Sequence, residues 1–566
     1  MKKNKKTSKI NYYLPPYIAL CVMGLLCFVP MLGIVLVNDQ IHNNLFNIVA
    51  LLILSALIIC LLAAIGGRKI SPWFGAIYQL FLPAELASVI IAKSPITFGL
   101  VQSAFQTNIG EASELAGMFI FVISITLFSW AIYLWAWFSW NKGNKQIPKW
   151  FRCSIFCFFL FYLTGIFTKM YLISNPGYSL LEKIEDAIDK TRSKYIKVFP
   201  YDIFYNIFQY ISVRHKEKIY SNLIGDGKFD IISSPEENLY PIVVFVIGEA
   251  SNVSHWQLYG YKRQTTPLLS KRKQIILFEN VLSGANLTSI SLPMLISRST
   301  PKDFTKWQEE GTLIHLFRKA GFSTAWLNNQ SSKYTIVQVV LKCSDYTFYL
   351  GNELDTLSSY DDILLPKLET YLQSVVKENR GAFAVVHTMG SHFLYDARYP
   401  QEFDIYKPNI RNLSLVEASK EKYYNERINS YDNTILYTDY ILDKMISQID
   451  SLSRPAVLIY IADHGEALGE INPSHKLHGS QYPLRDELEV PCFIAYNRSY
   501  AEQNKDLISV IEQHTKMPIS ATDVPSLLVR LAGIKSPQFP VSIGDKNFCP
   551  QPRYYLTPGL DLHSED

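Results

Sequence analysis

Residues able to hold a metal ion recur in this 566-residue chain at the points where apolar runs end. The sharpest case is the run 456–462, Ala-Val-Leu-Ile-Tyr-Ile-Ala, which leads directly into Asp463-His464-Gly465-Glu466. Seven mostly apolar, partly β-branched residues read as a buried strand with no polar face. A carboxylate and an imidazole then stand side by side at its carboxyl end, the edge of an open α/β sheet where ligands bind. Both are ligand types that zinc accepts, and Gly465 lets the backbone turn sharply away. An Asp-His pair after a strand also serves as an ordinary helix cap. The chemistry therefore depends on what other strands bring to the same edge.

They bring matching groups. The strand expected at 242–247 ends in Gly248-Glu249, and that at 382–386 ends at His387 and leads to Gly390-Ser391-His392. The strand at 322–327 ends in Asn328-Asn329-Gln330, and His478 follows in the loop beyond Asp463 and His464. With a helix at 312–320 and a further strand at 492–496, the alternation predicts a mostly parallel sheet flanked by helices. Capping alone seldom puts Glu, His and Asp-His on one edge, which favours a metal site. A hydroxyl nucleophile is available where the loop Gly284-Ala285-Asn286-Leu287 enters a helix at about Thr288. A helix N-terminus carries positive potential that suits an anionic oxygen or a phosphate. Thr288 or Ser289 could equally be a plain N-cap, and the two roles are compatible.

The rest of the chain must position these groups. Its length predicts two or three domains. The net charge of +4 says little, because the first 175 residues are strongly apolar and 32 Phe and 35 Tyr add to this. That composition points to a membrane protein with a soluble portion and away from a nucleic-acid binder. Five apolar runs, at 17–37, 45–65, 73–91, 118–140 and 153–173, each approach the roughly 20 residues needed to cross about 30 Å of hydrocarbon. The first is too long for a cleaved signal. Lysines 2, 3, 5, 6 and 9, Arg68 and Lys69, and Lys142, Lys145, Lys149 and Arg152 alternate with loops that are nearly bare of basic residues. The expected orientation is N-terminus inside and everything after residue 173 outside. Glu85 falls within the third run and reads as an inter-helix or interfacial contact, or as a residue meeting a lipid headgroup. Trp130, Trp135, Trp137 and Trp140 read as an interfacial belt. From 178 to about 220, apolar and charged residues alternate at helical spacing, as in helices lying on a membrane surface. A boundary follows at 222–238. Of eight cysteines only Cys343, Cys492 and Cys549 lie in the soluble part, which allows at most one disulfide there, and no Cys-based zinc spacing occurs.

Taken together, Gly248-Glu249-Ala250, Thr288-x-x-Ser291-x-Pro293, Gly390-Ser391-His392, Asp463-His464-Gly465-Glu466 and Leu477-His478-Gly479 resemble the phosphoethanolamine transferases of Gram-negative envelopes, within the alkaline-phosphatase and sulfatase superfamily. The resemblance implies a five-helix transmembrane domain over 1–175, bridging surface helices over 176–238 and a periplasmic catalytic α/β domain over 239–566. It implies an inner-membrane protein, monomeric, with phosphatidylethanolamine as donor. The acceptor would be lipopolysaccharide, at a core sugar or lipid A, or a periplasmic glycan. Glu249, Thr288, Asp463 and His464 would hold a tightly bound Zn2+, with Thr288 as nucleophile. His392 and His478 would meet the phosphoryl group or a second zinc, and Asn329 and Lys333 would line the donor pocket. The stretch Ser283-Gly284-Ala285-Asn286 has no cysteine ahead of the nucleophile, which is more like the cysteine-poor branch that modifies core sugars or glucans. A sulfatase would need an arginine where Leu295 stands. A phosphoglycerol transferase of the lipoteichoic-acid type and a membrane-tethered binding module are the other readings, the latter opposed by the complete set of metal-binding residues.

Overall fold

The computed structural model describes residues 80–89, 95–106, 116–142, 148–172, 202–211, 227–235, 240–330, 335–349, 360–411, 420–473 and 475–565, with a few isolated positions besides. The chain divides into two compact units, Met1–Thr97 with Met118–Gln209, and Phe98–Gly117 with Tyr210–Asp566.

The first unit contains two helices long and apolar enough to cross a bilayer, α1 (Ala116–Lys142) and α2 (Lys149–Leu172). Leu127, Phe128, Phe161 and Leu172 turn outward from them. Large apolar side chains left in water forgo about 1.5–3 kcal/mol each, so such a surface is built for lipid. Hydroxyls on these helices close onto carbonyls one turn back, Thr126 on Val122, Ser154 on Trp150, Thr164 on Leu160 and Thr168 on Thr164. Every polar group in hydrocarbon needs such an internal partner. The runs expected at 118–140 and 153–173 are these helices. Of the third run only Leu80–Val89 is described, as a shorter apolar helix, and the spans at 17–37 and 45–65 lie almost wholly outside the described residues. Glu85 is fully buried and accepts the Ile96 N–H at 3.3 Å. Asn206, on the helix at 202–211, donates to the Ile96 carbonyl at 2.9 Å. Glu85 thus belongs to a helix contact and does not face lipid. Trp140 is buried too, leaving Trp130 and Trp135 as the exposed members of the expected belt.

The second unit is built on a seven-stranded sheet. Its strands are β1 (Ile242–Gly248), β2 (Ile275–Phe278), β4 (Ser323–Asn328), β5 (Tyr346–Tyr349), β6 (Ala382–His387), β7 (Ala456–Ala462) and β8 (Cys492–Tyr496), in the order β2-β8-β7-β1-β6-β4-β5. A separate short strand, β3 (Val281–Leu282), pairs with β9 (Ile519–Ser520). Only β8 runs against its neighbours in the large sheet. Strands β1, β6 and β7 are buried residue by residue, as parallel strands covered on both faces must be. Alternate side chains serve two cores. Val243, Phe245, Ile247, Val457, Ile459 and Ile461 face the layer of α4 (Leu313–Lys319) and the helix Val524–Leu531. Ile242, Val244, Val246, Leu458 and Tyr460 face α5 (Leu364–Lys377) and α6 (Tyr424–Asp450). The antiparallel β8, with β2 beyond it, was not expected from the pattern 492–496, because a fully buried five-residue run is the same in either direction. A helix from the loop before α1, Phe98–Gln106, belongs to this unit and packs on α3 (Thr288–Leu295).

The parallel register aligns the carboxyl ends of β1, β4, β6 and β7, with Gly248 opposite Ala462, and Ile247 and Asn328 each opposite His387. Leu458, at the centre of this frame, has no exposed surface. Leu458→Ala is expected to destabilise the unit by about 2–5 kcal/mol, seen as a lower urea midpoint for the intact protein with an unchanged slope.

Candidate metal centre and nucleophile

The first residues after β1 and β7 are Glu249 and Asp463. The two strand ends are sewn together by the Asp463 N–H, which donates to the Gly248 carbonyl at 3.0 Å. Asp463 Oδ1 is held by the N–H groups of His464, at 2.7 Å, and Ala250, at 3.3 Å. Its other oxygen faces His464 Nε2 at 3.5 Å and accepts the Ser291 hydroxyl at 3.4 Å. Gly465 is needed directly behind, since a Cβ there would lie 2.1 Å from the Asp486 carbonyl oxygen.

Thr288 is the first residue of α3. The cap is Leu287, whose side chain caps nothing, so the N-cap role considered for Thr288 is not the one it fills. Its hydroxyl turns inward instead and donates to Glu249 Oε2 at 3.0 Å, with His464 Nε2 at 3.2 Å. Glu249 Oε1 lies 3.3 Å from His464 Nε2 and accepts no hydrogen bond from any described residue. Four ligands held at about 2.0–2.1 Å by a tetrahedral ion stand about 3.3 Å apart. The separations here, 3.0, 3.2, 3.3 and 3.5 Å, have that spacing. The donor set of two carboxylates, one imidazole and one hydroxyl therefore fits a small divalent cation. Ligand atoms of Glu249, His464 and His478 also all lie within 4.8 Å of one another.

Three histidines present the same nitrogen to this pocket. His464 Nδ1 donates to the Gly465 carbonyl at 2.9 Å, and His392 Nδ1 to the Phe393 carbonyl at 2.6 Å. His478 Nδ1 meets Glu466 Oε2 at 2.6 Å. Each acceptor fixes the proton on Nδ1 and leaves Nε2 as the ligating or proton-accepting atom. The His478 ring centre is 4.2 Å from that of His464 and 6.1 Å from that of His392.

The structure thus brings together Glu249, Thr288, Asp463, His464, His478 and His392. Asn329 is nearby but its Nδ2 donates to Asp361 Oδ1 at 2.8 Å, and Lys333 lies outside the described residues. Several residues were not singled out from the sequence. Gln330 donates to Glu249 Oε2 at 2.8 Å. Buried Glu466 receives the Tyr395 hydroxyl and orients His478. Asp361 accepts the N–H groups of Met389 and Gly390 as well as Asn329. It so shapes a turn in which a Cβ on Gly390 would lie 2.8 Å from the Glu249 carbonyl oxygen. Gln330 and Glu466 stood within motifs already marked; Asp361 gave no local signal, since its partners are 28 to 32 residues away. His475 bonds buried Glu487.

Burial opposes the charge on Glu249, yet the nearby His464, with His392 and His478, holds it well below the usual carboxylate range. Asp463 goes the other way, pushed up to about 7 by burial and by the charge of Glu249. Burial lowers His464, but Asp463 and Glu249 outweigh it and raise it to about 10. His392 is lowered to about 4, chiefly by burial.

The sulfatase family profile matches residues 241–534, just over half of the chain, and the chain belongs to that family. It is 34% identical over 283 residues to phosphoethanolamine transferase EptA of Helicobacter pylori, covering 49% of this chain and 51% of that one. The chain thus spans about half the length of such curated relatives. Its fold is shared, at a TM-score of 0.69 and 20% identity, with the integral membrane protein lipooligosaccharide phosphoethanolamine transferase A (EptA) from Neisseria meningitidis, over 92% of this chain and 96% of the other. The periplasmic domain of EptC from Escherichia coli, solved in complex with Zn, matches at a TM-score of 0.51 and 22% identity, over 59% of this chain and 93% of that domain.

In the metal-free protein, His464 adds stability that is complete below pH 6.5 and is lost as pH rises through about 10. Asp463, whose neutral form the fold favours, costs stability increasingly as pH rises from about 4 to about 7. Chelator-treated protein should therefore have a melting temperature that falls from pH 5 to pH 9. A divalent cation held by these residues would displace these protons, so its affinity should rise by roughly tenfold per pH unit for each proton released. Calorimetric titration in buffers of different ionisation enthalpy counts those protons.

Proposed function

We propose that this chain transfers phosphoethanolamine from phosphatidylethanolamine to a lipopolysaccharide acceptor, at a core sugar or lipid A, or to a periplasmic glycan. The reaction would pass through a covalent intermediate on Thr288. The observation that carries this reading is the Thr288 hydroxyl on the first turn of α3, 3.0 Å from Glu249 Oε2 and 3.2 Å from His464 Nε2. The names of the relatives, and zinc in one of them, support it.

Glu249, Thr288, Asp463 and His464 would hold one zinc ion, with His478 and His392 toward its open side. Bound there, zinc lowers the pKa of an oxygen acid by many units and offsets charge on a phosphoryl group. The chain's own groups supply the rest. Glu249 Oε2 draws the Thr288 proton away from the reacting face of the oxygen. Thr288 Oγ bonds to phosphorus, the bond from phosphorus to the glycerol oxygen breaks, and diacylglycerol leaves with a proton. In the second half an acceptor hydroxyl or phosphate oxygen gives up its proton and bonds to phosphorus. The Thr288 Oγ–phosphorus bond then breaks and Thr288 regains its hydrogen. His478, backed by Glu466, carries the proton, because the carboxylate stabilises the imidazolium formed when Nε2 accepts it. His392, neutral at pH 7, orients oxygens without adding charge. Asn329, through Asp361 and the Gly390 turn, and Lys333 are assigned to the donor side.

A lipid donor explains the apolar N-terminal part. We assign residues 1–175 to a five-span inner-membrane domain with a cytoplasmic N-terminus, 176–238 to bridging surface helices and 239–566 to a periplasmic catalytic domain. The protein would act as a monomer. The exposed apolar faces of α1 and α2 and the alternation of basic loops support this.

Incubated with phosphatidylethanolamine, the wild-type protein should gain a phosphoethanolamine mass adduct on Thr288. Thr288→Ala should lack it and lose transfer by roughly a thousandfold or more. Undiminished transfer by Thr288→Ala would sink the proposal. A phosphoglycerol adduct from phosphatidylglycerol, with none from phosphatidylethanolamine, would move the chain to the lipoteichoic-acid type.

A further inference from the structure

Outside the metal pocket, two carboxylates face the two nitrogens of a single imidazole. His255 ends the short turn Val253–His255 that follows β1, and it is 1% exposed. Its Nδ1 lies 2.7 Å from Asp432 Oδ1, on α6, and its Nε2 lies 2.9 Å from Glu470 Oε2, in the loop after β7. Ionised carboxylate oxygens only accept hydrogen bonds, so both ring nitrogens must carry hydrogen to satisfy both partners. Imidazolium is the form that does so. Asp432, fully buried, also takes Arg263 Nη1 at 2.7 Å and the Tyr261 hydroxyl at 3.1 Å. Two cations, His255 and Arg263, thus face two anions, Asp432 and Glu470, and buried charge is compensated. Burial acts against the imidazolium, but its two carboxylate partners prevail and raise His255 to about 9.

The network grips the loop that carries His478. Glu470 lies four residues after Glu466, the residue that orients His478. The same turn that holds His255 also holds Glu466, since Asn252 Nδ2 donates to the Glu466 carbonyl at 3.0 Å. Tyr431, next to Asp432 on α6, accepts the Asn252 N–H and donates to the Ala250 carbonyl, both at 2.7 Å. The loop closes on itself where Ala467 pairs with Leu477, and His478 follows directly. One end of the loop is therefore tied by β7 and the other by this pairing, while Glu470 tethers its middle to the scaffold through His255.

We propose that His255 is a positioning residue: as an imidazolium bridging Asp432 and Glu470, it anchors the 466–478 loop to α6 and thereby fixes His478 opposite His464. Its effect on turnover rests on the transferase reading above; its effect on the loop does not. Partners that orient a reacting histidine typically change activity by 10–100-fold.

The test uses the full-length, zinc-loaded protein in detergent, with a nitrophenyl ester of phosphoethanolamine as substrate. His255→Gln and Glu470→Gln should each lower kcat by about tenfold or more, with KM within about twofold and zinc content unchanged. In both, amide hydrogen exchange should rise across 466–478 but not in β1 or β7. A protein that merely used these residues for stability would lose melting temperature, zinc and activity together, which would overturn the assignment. Should His255→Gln fail to fold, Glu470→Gln decides, because that side chain is already 35% exposed. Wild-type exchange in its 466–478 segment, or raised exchange with wild-type kcat, would overturn the proposal. A wild-type protein inactive on the ester would instead count against the transferase reading, and the exchange comparison would still decide the anchor.

Discussion

Glu249 and Asp463 emerge from two hydrogen-bonded strands, both fully buried, and the rest of the second unit is arranged around that fact. Removing one carboxylate from water is costly, and placing a second beside it adds repulsion that low-dielectric surroundings do little to weaken. The pair persists because positive potential converges on it. His464 lies between them, backbone N–H groups hold one Asp463 oxygen, and Gln330 and Thr288 donate to Glu249. Even so, Asp463 is driven toward its protonated form, and Glu249 Oε1 is left without a donor among the described residues. The pocket is under-neutralised, which is the electrostatic condition for taking up a divalent cation.

Such a pocket needs walls that do not relax. The parallel strands supply one wall, since residues at the carboxyl ends of β1, β6 and β7 are set by register and by packing on both faces. The turns supply the other. Gly390 and Gly465 allow backbone to approach Glu249 and Asp486 more closely than any side chain would permit. Asp361 gathers the N–H groups of the 389–390 turn and the amide of Asn329, while Glu466 links Tyr395 to His478. These buried acceptors do not touch the candidate cation site. Glu466 sets which nitrogen His478 presents, and Asp361 holds the turn that leads to His392, and this makes a cluster of ordinary residues directional.

Strands β1, β4, β6, β7 and β8, the parallel character of the sheet's centre and the residues at its strand ends were legible from the sequence, because they depend on local pattern. A continuous apolar run followed by Glu249, or by Asp463 and His464, carries its meaning within about ten positions. The same holds for α1 and α2, whose length and apolarity are read directly. Less was legible where partners lie far apart. The antiparallel β8 could not be told from a parallel strand, and Trp140 could not be separated from its exposed neighbours. Thr288 read equally well as a cap or as a nucleophile until its hydroxyl was seen to turn away from the helix backbone.

By itself the sequence determined the apolar N-terminal part, the α/β class of the C-terminal part and the chemical types at the strand exits, since periodicity and composition are properties of short windows. Tertiary structure alone decided the pocket. Glu249 meets Thr288 across 39 positions and Gln330 across 81, and Thr288 meets His464 across 176. Distances over such separations are set by strand order, register and turn geometry acting together, and no window of sequence contains them.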